Sequence, residues 1–278
     1  MEVRVARYAG VCYGVERALK LAEEASAGGQ RVKTLGPLIH NPQAVAALRE
    51  QGVEVAACLD EVSDETLVIR THGVDPAIIA QAKTKGLDVV DATCPFVTKA
   101  QKAAEQLRAE GYTLVVVGEA DHPEVEGIVA HAGGEAIVIG SADELPARLS
   151  SRRVGIVVQT TQSPGRLAAV VDALLPRSNE LRVFNTICSA TEQRQMAAEE
   201  LARDVDVMVI VGGHNSGNTK RLAEISHSVN QRTYHVETAE ELEPGWFDHA
   251  QTVGVTAGAS TPDEQIRGVI AAIEALDA

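Results

Sequence analysis

Three of the four cysteines in this 278-residue chain stand at intervals that invite a chemical reading: Cys12, Cys94 and Cys188 are 82 and 94 residues apart. From Cys12 to His40 is 28 residues, from Cys94 to His122 is again 28, and 28 residues past Cys188 stands Ser216. The contexts agree, as Gly36-x-x-x-His40, Gly118-x-x-x-His122 and Gly212-x-x-x-Ser216. A second marker follows in each stretch, at Thr71-His72-Gly73, Gln159-Thr160-Thr161 and Ala259-Ser260. Such self-similarity marks a repeated structural unit. Three lobes are expected, over 1–92, 93–184 and 185–278, each bringing one thiol and then two polar groups to a common centre.

Three thiolates can hold a metal. A structural zinc site takes a fourth protein ligand and usually a close Cys-x-x-Cys pair, and neither is visible. Three cysteines on a four-iron, four-sulfur cluster would leave one iron open as a Lewis acid and an electron port. A free cysteine is commonly just a small buried residue, but the matched contexts favour a ligand role. Cys58 has no such context and is read as structural. His40, His72 and His122 fall at strand-to-loop edges ahead of helices, where imidazole donors and free N–H groups suit a phosphate or diphosphate. His131, His214, His227, His235 and His249 are assigned to surface or capping positions. Ser216, Asn218 and Ser260 add neutral donors, although each alone reads as a turn or cap residue. Glu124, two residues past His122, opens a helix, where the macrodipole favours a carboxylate. A general-acid role for it requires burial to raise its pKa against that dipole.

Short β-rich runs alternate with helical periods. Strands are expected at 3–6, 67–70, 89–92, 114–117, 137–139, 154–158, 207–211 and 253–256, mostly as continuous apolar runs of the kind buried in parallel sheets. Helical periods such as Val15/Ala18/Leu19/Ala22 and Ala100/Ala104/Leu107 follow them, so the fold class is α/β with mostly parallel sheets. Six prolines, Pro42, Pro76, Pro95, Pro123, Pro164 and Pro262, are placed to open helices. Ser189 with Glu192 and Thr261 with Glu264 have capping-box spacing.

The charge balance, 25 basic against 39 acidic residues for a net −14, argues against duplex nucleic acid or an anionic membrane surface as partner. With aromatics at 3%, a stacking platform for single strands is poorly supplied. No leader-like start and no apolar run near bilayer length is read, and widely spaced cysteines fit a reducing compartment, so a cytoplasmic protein is expected. Phosphate-loop, His-Glu-x-x-His, G-x-S-x-G and first-strand G-x-G-x-x-G signatures are not found. A zinc-dependent hydrolase of a phosphorylated substrate and a non-enzymatic iron–sulfur sensor remain open on these residues.

The motifs taken in order are more specific. Gly10-Val11-Cys12-Tyr13-Gly14-Val15-Glu16-Arg17, Ile39-His40-Asn41, Thr71-His72-Gly73-Val74, Asp91-Ala92-Thr93-Cys94-Pro95 and His122-Pro123-Glu124-Val125 fill the first half. Gln159-Thr160-Thr161, Thr186-Ile187-Cys188, Asn215-Ser216-Gly217-Asn218-Thr219 and Gly254-Val255-Thr256-Ala257-Gly258-Ala259-Ser260 fill the second. Together, from Val3 to about Ile273, they resemble the 4-hydroxy-3-methylbut-2-enyl diphosphate reductases, the last enzymes of the non-mevalonate isoprenoid pathway. The resemblance implies three pseudo-repeated α/β lobes around a central 4Fe–4S cluster held by Cys12, Cys94 and Cys188. It implies that His40, His72, His122, Ser216, Asn218 and Ser260 grip the substrate's diphosphate, and that Glu124 supplies a proton relayed through Thr160 or Thr161. Two electrons would come from a ferredoxin or flavodoxin, with no nicotinamide or flavin bound. Gly217 departs from the family pattern, which often has a second Ser there, and Thr71 is not the commonest residue before the His.

Overall fold

The structure, a computed structural model, describes residues 1–276 apart from 28 and 64. Twelve strands lie among these residues: β1 (Glu2–Val5), β2 (Val32–Leu35), β3 (Val53–Ala56), β4 (Thr66–Ile69), β5 (Val89–Asp91), β6 (Thr113–Val117), β7 (Ile137–Ile139), β8 (Arg153–Val158), β9 (Glu180–Phe184), β10 (Val207–Val211), β11 (Thr233–Val236) and β12 (Thr252–Ala257). The helices are α1 (Tyr13–Ser26), α2 (Pro42–Glu50), α3 (Pro76–Thr84), α4 (Pro95–Ala109), α5 (Pro123–His131), α6 (Pro164–Leu174), α7 (Ser189–Asp204), α8 (Gly217–Val229) and α9 (Asp263–Ala275).

The strands form three four-stranded sheets of one topology: β3-β2-β4-β5, β7-β6-β8-β9 and β11-β10-β12-β1. Every pairing in them is parallel. The α/β expectation therefore holds. The central strands are apolar on both faces because helices cover both: the whole of β10 is at 0% exposure, and Leu114 to Val117 of β6 at 1% or less.

By internal packing the chain divides into two units, one of residues 1–16, 39–46 and 189–278, the other of 17–38 and 47–188. The first holds the sheet β11-β10-β12-β1 and the second holds the other two. A first lobe of 1–92 would place β1 beside the strands that follow it. Instead β1 pairs with β12, from Glu2 opposite Thr252 to Val5 opposite Val255. The edge of β12 is closed by the chain's first strand, in the position that β5 and β9 occupy in the other sheets. The repeat is thus circularly permuted: β1, which precedes Cys12, is the last strand of the sheet whose other three strands follow Cys188.

Four strands, β2, β3, β9 and β11, are not among those expected. Three of them are sheet edges with mixed burial, and β2 carries Lys33, whose Nζ donates to the Glu61 carbonyl at 2.6 Å and sits 3.3 Å from the Glu65 carboxylate. Five of the six prolines stand at the first helical position, of α2, α3, α4, α5 and α6, while Pro262 is the N-cap of α9. The Thr261/Glu264 capping box does not form, because the Thr261 hydroxyl donates to the Val211 carbonyl at 3.1 Å. Ser189 is the first residue of α7 itself.

Gly155 in β8 is required by the helix above it: a Cβ there would lie 2.7 Å from both Leu107 methyls of α4. Overpacking at such a contact costs about 1–3 kcal/mol. Gly155→Val should therefore lower the unfolding free energy by that amount, seen as a lower urea midpoint with the m-value unchanged; an unchanged midpoint would contradict this packing.

Candidate functional site

In the second unit, Cys94 follows β5 and is the N-cap of α4, with Pro95 after it. Its N–H donates to the Thr71 carbonyl at 2.9 Å, just past the end of β4. Cys188 lies between β9 and α7 and its N–H donates to the Thr160 carbonyl at 3.1 Å, just past the end of β8. In the first unit Cys12, between β1 and α1, donates to the Ala259 carbonyl at 3.0 Å, just past the end of β12. Each cysteine is thus bonded through its own N–H to the second polar marker of the repeat. The strand-end loops of parallel α/β sheets are where ligands bind. All three side chains are partly exposed, whereas Cys58 is exposed at the start of a short 3₁₀ turn and holds no core position.

Glu124 is 2% exposed in the first turn of α5. Its carboxylate accepts from the Thr160 N–H at 2.6 Å and from the Thr160 hydroxyl at 2.9 Å. Burial pushes the carboxyl up to about 7, the Thr160 bonds hold it down in part, and the charge of Glu119 adds to the rise. The condition that a general-acid role sets on this residue is met. Of the two threonines, Thr160 is the one on the carboxylate. It is also the residue whose carbonyl receives Cys188.

His122 caps α5, its Nδ1 accepting from the Glu124 N–H at 3.1 Å, so in the neutral ring the proton sits on Nε2. The His72 ring meets it edge to face at 5.3 Å between centroids. Thr71, the less common residue, donates its hydroxyl to the Leu38 carbonyl at 3.0 Å and so ties the loop ahead of His72.

In the first unit, Ser216 caps α8, its hydroxyl accepting from the Thr219 N–H at 3.3 Å. Gly217 is the first helical residue. Asn218, 5% exposed, has neither amide atom hydrogen-bonded to another described residue. A buried amide with both ends unsatisfied carries a desolvation cost that a bound polar ligand removes. The Ser260 hydroxyl donates to the His40 carbonyl at 3.1 Å.

Further residues hold these loops, and the sequence pattern did not single them out as such. Asn41 is fully buried; its Oδ1 accepts from the Ala44 N–H at 2.9 Å and its Nδ2 donates to Gln265 Oε1 at 3.1 Å. Gln265 in turn donates to the Glu237 carbonyl, and Glu237 Oε1 accepts the His214 N–H at 2.6 Å. His235 is half-buried, not superficial: its Nε2 is 2.8 Å from the Gly212 carbonyl, and burial lowers its pKa. Arg194, 6% exposed, donates to the Gly10 carbonyl at 2.7 Å, ahead of Cys12. Polar side chains that act across 184 and 224 residues of sequence leave no local spacing signal.

Parallel α/β sheets with polar side chains gathered at the strand ends define an α/β enzyme. The chain belongs to the LytB protein family, whose sequence profile matches residues 3–274. A 4-hydroxy-3-methylbut-2-enyl diphosphate reductase of Geotalea uraniireducens is 50% identical over 277 residues, covering 100% of this chain and 98% of that protein. The reductase of the same name from Geobacter sulfurreducens is likewise 50% identical over 277 residues, with the same coverage. Among solved structures, an (E)-4-hydroxy-3-methyl-but-2-enyl diphosphate reductase superposes with a TM-score of 0.72 at 46% identity, covering 99% of each chain. The E-1-hydroxy-2-methyl-but-2-enyl-4-diphosphate reductase of Plasmodium falciparum superposes with a TM-score of 0.92 at 25% identity, over 97% of this chain and 87% of that one. The family resemblance carried by the motif series is borne out, and the chain is an oxidoreductase. No helix among the described residues is long and apolar enough to cross a membrane.

The raised Glu124 pKa has a stability consequence. The folded protein holds this proton more tightly than the unfolded chain, whose carboxyl titrates near 4.5. Its contribution is therefore fully present below pH 4.5 and is lost as pH rises to about 7. The loss should amount to at most about 3 kcal/mol. Glu124→Gln should remove this component of the pH slope in urea unfolding between those values; a slope identical to wild type would show that the carboxyl is not held protonated.

Proposed function

We propose that this chain reduces (E)-4-hydroxy-3-methylbut-2-enyl diphosphate, removing its allylic hydroxyl as water with two electrons and two protons to give isopentenyl and dimethylallyl diphosphates. The reading rests on membership of the LytB family over nearly the whole chain. The observation that carries the chemistry is the buried Glu124–Thr160 pair, with its carboxyl brought to about 7. A carboxyl of that pKa holds its proton near neutral pH and releases it without a large penalty, as a general acid for a departing oxygen must.

The donor set fits an iron–sulfur group. Cys12, Cys94 and Cys188 are three soft ligands, each partly exposed and each placed directly before a helix, where the positive helix end favours an anionic centre. These three would hold a 4Fe–4S cluster, which when bound supplies an iron that polarises the substrate hydroxyl and passes electrons to the carbon skeleton. The chain's own residues do the rest. Glu124 gives a proton through the Thr160 hydroxyl toward the leaving oxygen. His122 presents Nε2–H, and with His40, His72, Ser216, Asn218, Ser260 and Thr161 it binds and orients the substrate. Asn218, with its amide unsatisfied, is suited to a diphosphate oxygen. At Gly217 the diphosphate has only the backbone N–H at the start of α8 to meet, so the helix N-terminus takes the place of a side-chain donor. Binding the diphosphate away from the reacting carbon uses remote binding energy to position it. The electron donor in this reading is a ferredoxin or flavodoxin, and the reaction takes place in the cytoplasm.

Protein purified without oxygen should contain iron and sulfide in equal amounts, and Cys12→Ser, Cys94→Ser and Cys188→Ser should each lower both. Iron content unchanged in a variant would remove that cysteine from the ligand set. Glu124→Gln should keep the cluster while turnover falls on the order of 10²-fold or more; unimpaired turnover would remove the proton-donor role. In the wild type, kcat/KM should fall above about pH 7 as Glu124 loses its proton. A profile flat from pH 6 to pH 9 would contradict the assignment.

A further inference from the structure

The second unit has a cavity of about 570 Å³ that departs from the charge of the chain as a whole. Arg17 of α1 and Lys99 and Lys102 of α4 line it, in a protein of net charge −14. Lys99 and Lys102, three residues apart, share one helix face. Both are exposed, and neither has an ion pair or hydrogen bond to another described residue. The Arg17 guanidinium donates to two carbonyls, of Thr93 at 3.2 Å and of Asp91 at 3.4 Å, so no carboxylate cancels its charge there. Among the described residues Asp91 is the one acid in the lining, and its carboxylate accepts the Thr93 N–H at 2.9 Å. The floor is the segment on either side of Cys94, since Thr93 and Pro95 both line the cavity. Phe184, half-buried, adds an apolar wall, with the Arg182 guanidinium 5.0 Å above its ring and paired with the Glu110 carboxylate, which leaves the positive face to Arg17, Lys99 and Lys102.

We propose that this face is the docking surface of an acidic one-electron carrier protein. The inference rests on the reductase reading, in which two electrons reach the cysteine-held centre one at a time. A carrier must then bind and leave twice in each turnover, which calls for a small, weak interface assembled by electrostatic steering. An acidic carrier is repelled by most of this chain and attracted where positive charge is concentrated, here beside a proposed cluster ligand. A small anion would call for convergent buried donors. This cavity offers flexible exposed lysines around an apolar ring, the composition of a protein interface and its rim.

The test uses the cluster-loaded enzyme and the double variant Lys99→Glu/Lys102→Glu. Turnover of the diphosphate substrate is measured with a reduced acidic ferredoxin and, separately, with dithionite and methyl viologen. Binding of the oxidised ferredoxin is followed by calorimetry at several salt concentrations. The wild type should bind ferredoxin more weakly as salt rises. The double variant should raise the KM for ferredoxin about tenfold or more and lose most of the salt dependence, with viologen-driven turnover unchanged. Unchanged ferredoxin KM and binding, beside normal viologen turnover, would overturn the docking surface and leave the reductase reading standing. A raised KM for the diphosphate in place of ferredoxin would assign the cavity to a small anion and overturn it too. A wild type that turns over with neither donor would remove the reductase reading and the surface together.

Discussion

A hydrogen bond from each cysteine N–H to a carbonyl just beyond a strand end recurs three times, and the organisation of the chain follows from it. Cys94 is tied to Thr71, Cys188 to Thr160 and Cys12 to Ala259. One such bond contributes only about 1 kcal/mol net, but it fixes where the thiol leaves the backbone. It can form only if the strand before each cysteine lies beside the strand before each carbonyl, and β5, β9 and β1 do lie beside β4, β8 and β12. The same condition accounts for β1, which joins the sheet of the chain's last strands rather than that of its nearest neighbours. Parallel pairing then puts the strand ends, helix N-termini and polar markers of a sheet on one edge.

Burial of Glu124 sets a second constraint. A carboxyl at 2% exposure is kept near neutrality only because two donors from Thr160 offset part of the desolvation cost. The net effect disfavours the ionised folded protein, so the site opposes stability at the pH where a general acid is useful. A group with no function to serve would be expected either to be paired with a cation or to be replaced by an apolar side chain. Asn218 carries a related cost in the other unit, with an amide that has no partner among the described residues at either end.

Much of this was legible in the sequence, for identifiable reasons. The strands buried on both faces announced themselves as apolar runs, and proline at helix starts marked the loops where polar residues gather. The repeat of Cys, then His or Ser, then a second marker was visible as spacing because parallel α/β units reuse one order of elements. What was not legible depended on contacts distant in sequence. The pairing of β1 with β12 joins the two ends of the chain, and no local pattern reports it. Lys33 hid β2, because it reaches a carbonyl and a carboxylate beyond its own strand. The choice between Thr160 and Thr161 turned on which hydroxyl meets Glu124. The Asn41–Gln265–Glu237 connection links three side chains that each look ordinary alone.

If Cys12, Cys94 and Cys188 hold a cluster with one iron open to substrate, as proposed, Mössbauer spectroscopy of the ⁵⁷Fe-loaded protein distinguishes that iron from the other three. Spectra are recorded before and after addition of the hydroxylated diphosphate. Four irons are expected, of which one is distinct, and this one alone should shift when substrate binds. Four equivalent irons unaffected by substrate, or a protein that takes up no iron, would contradict the proposal.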